Sequence, residues 1–374
     1  MRYPGRLATI GALAALTSCE PSQITFPDAP NVEGTIVAAG MWIPDGITVI
    51  GEGDFLFADR AGDVYLYGDG RTRRLDGIPA SRVSSVYGGI LDLSAHPDFA
   101  SNGWVYISYN DAQYRLTVAR FVVRDGRVED FAPVFRSGEF SIGSRIVWQD
   151  SDHFFVSFGI GGDPFPDPGP QDLSMDVGKI HRLRADGSVP ADNPLFEGAS
   201  EPTSVWSYGH RNPQGLFYDQ ATDRLYATEH GPLGGDELNI VQGGRNYGWP
   251  LFSYGLNYDR TDVSALTEGE AFAFTEAPEA YWGPNFRVAP SGLAYVQQGA
   301  FAEANGTFLI GALYSQDLLR YDPLTGNTDV VLRGVGRVRD IAQLPGGDLL
   351  LAVDAGSPGT EDEGRILRLS DTGL

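Results

Sequence analysis

Residues 53–70 read GDFLFADRAGDVYLYGDG. Two short runs, FLFAD and VYLYG, flank a turn, and each is aromatic and apolar enough to form a buried strand. The pair recurs along the chain. GWVYISYN (103–110) precedes RLTVARFVVRDG (115–126), DHFFVSFG (152–159) precedes GKIHRLRADG (178–187), and DRLYATEH (223–230) precedes DELNIVQGG (236–244). GTFLIGAL (306–313) precedes DLLRYDPLTG (317–326), and GDLLLAVD (347–354) precedes GRILRLSD (364–371). Ahead of most pairs stands a third run, as in GILDLSAHPDF (89–99), QGLFYDQ (214–220) and VRDIAQLPGG (338–347).

Antiparallel units repeating at about 40–50 residues are the signature of propeller blades. No stretch sustains a helical apolar period beyond two turns. The sequence therefore predicts an all-β protein, a six-bladed β-propeller of four-stranded antiparallel blades over residues 34–370. GTIVAAGMW (34–42) would complete the last blade and close the ring. A two-domain array of β-sandwiches is the competing reading. Loops gathering over the central channel would carry any ligand site, and long inserts lie at Phe140–Gln171, His230–Tyr258 and Thr267–Ala289.

The composition narrows the function. Of 374 residues, 49 are acidic and 27 basic, for a formal net charge of −22. That field repels phosphate backbones and argues against nucleic acid as a partner. It is compatible with divalent cations, although a solvated acidic surface accounts for it equally. At the amino terminus, MRYPGRLATIGALAALTSCEPSQ places Arg2 and Arg6 before an apolar run that ends in Leu-Thr-Ser-Cys. The run, about ten residues long, is too short to span a bilayer and suits a signal peptide. Residues 1–18 are expected to be a lipoprotein signal peptide and Cys19 its lipidated residue. Residues 19–33 would be a polar tether, and the protein would be exported and anchored to the bacterial cell envelope. The alternative is a soluble export signal with an incidental cysteine. Cys19 is the single cysteine of the chain, so no intramolecular disulfide is possible.

Hydrolytic signatures are absent: there is no G-x-S-x-G elbow and no H-E-x-x-H helix. The histidines show no metal-ligand spacing, and His96 is expected to pin a turn. Two stretches stand out. ATEHGPLGGDELNIVQGGRNYGWP (227–250) concentrates Glu229, Asp236 and Glu237 among glycines that free backbone carbonyls to turn inward. Calcium takes such mixed oxygen ligands, but a plain turn explains the same residues. GVGRVRDIAQL (334–344) sets Arg337 and Arg339 on one strand face, where they repel unless an anion lies between them. That anion is either a ligand or an internal acid such as Asp340.

Together YGHRNPQGL, EHGPLGGDELNIV, NYGWP, GGILDLSAHPDF and RVRDIAQLPGGDLLLAVD resemble the soluble pyrroloquinoline-quinone-dependent aldose sugar dehydrogenases. The resemblance implies oxidation of a sugar by hydride transfer to the quinone, with calcium as second cofactor. It implies that Arg211 and Asn212 face quinone and substrate, and that Tyr258 lines the cofactor. Arg337 and Arg339 would clamp its carboxylates. The carbonyls of Gly231 and Pro232 would hold the bridging calcium, with Glu237 and Tyr247 holding a further one. The pattern breaks at three places: Ser141 stands where the family has its His base, Tyr87 replaces a Gln, and Tyr314 replaces a Lys. With Ser141 unable to act as base, Asp163 is the expected substitute, and Ser141→His would restore a lost function. The remaining readings are a calcium-stabilised binding or scaffold propeller and a calcium-dependent lactonase. The sequence names neither the sugar nor the electron acceptor.

Overall fold

A computed structural model describes residues 22–29, 31–84, 87–160, 169–264, 266–297, 301, 304–354 and 363–371. Six antiparallel sheets of at least four strands form a ring. Their innermost strands are Pro44–Val49, Ile90–Ala95, Ile146–Trp148, Pro213–Asp219, Pro290–Val296 and Arg337–Gln343. Each touches the next, and the sixth touches the first. The six-bladed propeller is therefore as predicted. The opening stretch supplies two strands of the first blade, Phe55–Asp59 and Asp63–Gly68.

The second strand of each blade is sandwiched between neighbouring sheets, which is why it reads as a continuous apolar run rather than an alternation. All six residues of Leu349–Asp354 are buried. Apolar clusters fill the gaps between blades: Leu56, Ile107 and Phe121 between the first two, Tyr106, Trp148 and Phe154 between the next. Backbones also approach closely there. Gly89 has φ 79°, and a Cβ at that position would lie 1.9 Å from the Arg60 carbonyl oxygen.

The last blade closes as expected, with Val32–Met41 paired to Gly364–Asp371. The segment before Gly34 departs from a simple tether. Ser22–Thr25 adds a fifth strand beside residues 33–36, and Phe26 is buried. Apolar Ile24 and Phe26 pack on that blade's core. Cys19 itself lies outside the described residues, as does Asp163.

One arginine ties the ring at its axis. Buried Arg145 bonds Asp92 at 3.0 Å and approaches Asp340 at 3.2 Å and Asp45 at 3.6 Å. Its Nε and Nη2 donate to the carbonyls of Gln214 and Arg339. The innermost strands of the first, second, fourth and sixth blades thus converge on one side chain of the third.

Candidate functional site

Antiparallel order puts the starts of the inner strands and the ends of the second strands on one face of the ring. The loops there enclose a cavity of about 270 Å³. Tyr87, Ile142, Arg211, Asn212, Gln214, Ala289, Arg337 and Arg339 reach it from the inner-strand side, and Arg60, His230, Leu313 and Tyr314 from the second-strand ends. Tyr258 reaches it from an insert. Five expected site residues, Arg211, Asn212, Tyr258, Arg337 and Arg339, therefore meet in one cavity.

Four guanidiniums converge here, and their partners differ. Arg60 pairs with buried Asp45 at 2.7 Å. Arg337 lies 3.0 Å from Asp354, and Arg339 bonds the other oxygen of the same carboxylate through Nε. The internal acid between the two arginines is thus Asp354. Asp340 is committed instead to Arg145 and to the Ile47 backbone N–H. Arg211 has no carboxylate partner for its guanidinium among the described residues. It donates to the carbonyls of His230 (3.1 Å) and Gly231 (2.9 Å) and to the Tyr258 hydroxyl (3.4 Å), and it lies over Trp249.

The other polar groups of HRNPQG find partners within the protein. His210 bonds Glu229 at 3.0 Å and Ser207 at 2.8 Å, and Gln214 donates to Asn212 at 3.0 Å. Sequence reasoning passed over His230. The residue lines the cavity, and its Nε2 is buried without a partner. Burial, then Arg211, Arg339 and Arg337, push its pKa down to about 3, so the ring is neutral. His230 follows the second strand of its blade as Arg60 and Tyr314 follow theirs. That shared place in the repeat is the signal that could have found it.

Ser141 is not on the cavity wall. It is fully buried, and its hydroxyl is shared between the carbonyls of Gly143 (2.6 Å) and Gly159 (2.9 Å). Ile142 faces the cavity in its place, so an imidazole substituted at Ser141 would meet backbone. Tyr87 and Tyr314 are at the rim, 49% and 54% exposed.

Beside the cavity runs the Gly231 turn. A Cβ on Gly231 would lie 2.1 Å from the Gly234 oxygen, so no other residue fits there. Asp236 fastens the turn, accepting from the backbone N–H groups of Gly231, Val288 and Ala289 at 3.1, 3.0 and 2.9 Å. Behind it, a void of about 10 Å³ is lined by Glu229, Glu237, Gly231 and Tyr247 among others. That is room for one water-sized sphere. Burial and the neighbouring Glu229 carboxylate raise the Glu237 pKa to about 8. The Tyr247 hydroxyl is spent on Ile240 and Gln242, so any ligand from that residue is its carbonyl. The buried Oδ1 of Asn239 is unpartnered beside the two glutamates.

A profile of the glucose/sorbosone dehydrogenase family matches residues 41–368. The chain is 33% identical to the aldose sugar dehydrogenase YliI of Escherichia coli, over 81% of this chain and 82% of that one. The apo-form structure of the soluble aldose sugar dehydrogenase of Escherichia coli superposes with a TM-score of 0.79 at 29% identity, covering 91% of this chain and 99% of that one. The quinone-bound aldose sugar dehydrogenase of Streptomyces coelicolor gives a TM-score of 0.73 at 28% identity, over 92% and 99%.

Proposed function

The chain belongs to the glucose/sorbosone dehydrogenase family, and on that premise we propose an exported sugar dehydrogenase that uses pyrroloquinoline quinone and calcium. The observation carrying this reading is the convergence of Arg60, Arg211, Arg337 and Arg339 on one cavity in a protein of formal net charge −22. Planar donor forks recognise carboxylates, and a flat ligand bearing three of them suits the cavity. When bound, the quinone supplies the two-electron acceptor that no side chain can provide.

Arg337 and Arg339 would hold its carboxylates and Tyr258 would cover an exposed edge. Arg211 and Asn212 would face the reacting end, where a guanidinium stabilises developing negative charge. The Gly231 and Pro232 carbonyls would hold the bridging calcium. Glu237, Glu229 and the Tyr247 carbonyl would hold the further one. The sugar's hydroxyl proton needs an acceptor. Asp163 is the expectation from sequence, and the imidazole of His230, a residue of the cavity wall, is the second candidate. Carboxylates paired with the surrounding arginines would offset part of what depresses its basicity. A lipid anchor on Cys19 would hold the protein at the cell envelope, where the sugar is met.

The test is to add calcium and pyrroloquinoline quinone to the apo-protein, then follow cofactor absorbance and dye reduction with a panel of aldoses. Saturable binding and chelator-sensitive turnover are expected. Tight binding with no turnover on any aldose would reduce the protein to a binding module, and no binding would retire the reading.

A further inference from the structure

A fifth guanidinium stands at the mouth of the cavity, on the insert Thr267–Ala289. Arg287 lies with its Cζ 4.0 Å from the ring centroid of Tyr314, and its Nη2 donates to that residue's hydroxyl. Tyr314 lines the cavity. The two residues are fixed side by side by their backbones. Tyr314 N–H donates to the Val288 carbonyl at 3.0 Å, and Leu313 N–H to the Ala289 carbonyl at 2.9 Å. Asp236 holds the N–H groups of Val288 and Ala289 from beneath. The clamp that shapes the Gly231 turn therefore also places Arg287.

Arg287 has no carboxylate partner among the described residues, in a chain with 49 acids against 27 basic residues. Arg60, Arg337 and Arg339 each have one. Arg211 is the other cavity guanidinium without one, and it too rests on a rim tyrosine, Tyr258. An aromatic face and a phenol oxygen hold a guanidinium more weakly than a carboxylate does. Its N–H groups stay available to an arriving anion, and a long flexible side chain can swing toward it.

We propose that Arg287 is a further cationic contact for the anionic ligand of this cavity, held on Tyr314 until a carboxylate arrives. The inference rests on the reading given under Proposed function, with a carboxylate-bearing quinone as the ligand. It places the recognition of one carboxylate on the insert before Pro290 rather than on the turn after the strand Thr307–Ala312.

The test titrates pyrroloquinoline quinone into the calcium-loaded full-length protein at two ionic strengths, reading tryptophan quenching. Wild type, Arg287→Gln and Arg287→Lys are compared. The Gln variant is expected to bind about tenfold more weakly, the size of one lost charge-assisted contact. Its salt dependence should be shallower, and the Lys variant should recover part of the affinity. Ligand-free melting temperature should be unchanged, because Arg287 is partly exposed. A Gln variant as tight as a binding wild type overturns the assignment of Arg287 alone. A wild type that does not bind the quinone overturns the functional reading and this inference with it.

Discussion

Two sets of guanidiniums lie a few residues apart in this ring and behave differently. On the axis, Arg145 is buried and meets three carboxylates, those of Asp92, Asp340 and Asp45. At the mouth, Arg337 and Arg339 share Asp354, while Arg211 and Arg287 have no carboxylate among the described residues. Charge at the axis is answered from within, and the answer joins blades. Charge at the mouth is answered in part, and the remainder faces a cavity. Saturation, rather than residue type, separates scaffold from site.

The sharpest way to break this comparison is Arg145→Met. Three buried carboxylates would lose their cation, and removing one partner of a buried pair costs about 3–5 kcal/mol. Urea unfolding should show at least that loss, and a loss under 1 kcal/mol would deny Arg145 its structural role. Lys179 offers an intermediate case, a buried cation answered by the carbonyls of Gly169 and Val177. Burial lowers its pKa to about 8, below the unfolded value of about 10.4. The unfolded chain therefore binds more protons between those values, and stability rises with pH across that window. Lys179→Met should erase that rise, worth at most about 3 kcal/mol, in unfolding curves taken from pH 7 to 10.5.

Asp236→Asn should cost about 1–3 kcal/mol, because three backbone donors lose their charged acceptor. It should also weaken the stabilisation given by added calcium, read as a smaller melting-temperature shift. The smallest expected effect on stability is Arg337→Gln, under about 1 kcal/mol, because Arg337 is partly exposed and Arg339 still answers Asp354. Its affinity for the quinone should nevertheless fall about tenfold. A large stability loss there would erase the contrast between the axis and the mouth.

The ring was legible because each second strand is buried on both faces and must read as an apolar run. Placing Arg211, Asn212, Tyr258, Arg337 and Arg339 in one site rested on the family resemblance, and the repeat explains how they meet, since loops on one face share a place in it. What escaped was pairing between distant blades. Nothing in GVGRVRD says that its aspartate turns to the axis while Asp354, on the next strand, takes the arginines. Ser141 was misread for a related reason: a one-residue difference in which side chain faces inward leaves Ile142 on the wall. His230 was overlooked because the search looked for histidines at metal spacing. Its importance comes from an empty hydrogen-bonding position, which only three-dimensional neighbours reveal.

The pairing of Val32–Met41 with Gly364–Asp371 has a consequence for biogenesis. The early strand must wait, that edge bare, until Gly364–Asp371 has been synthesised. Contacts so distant in sequence slow assembly, and an unpatched edge invites association with other chains. The interval before these two strands meet is therefore when the chain is most open to misassociation.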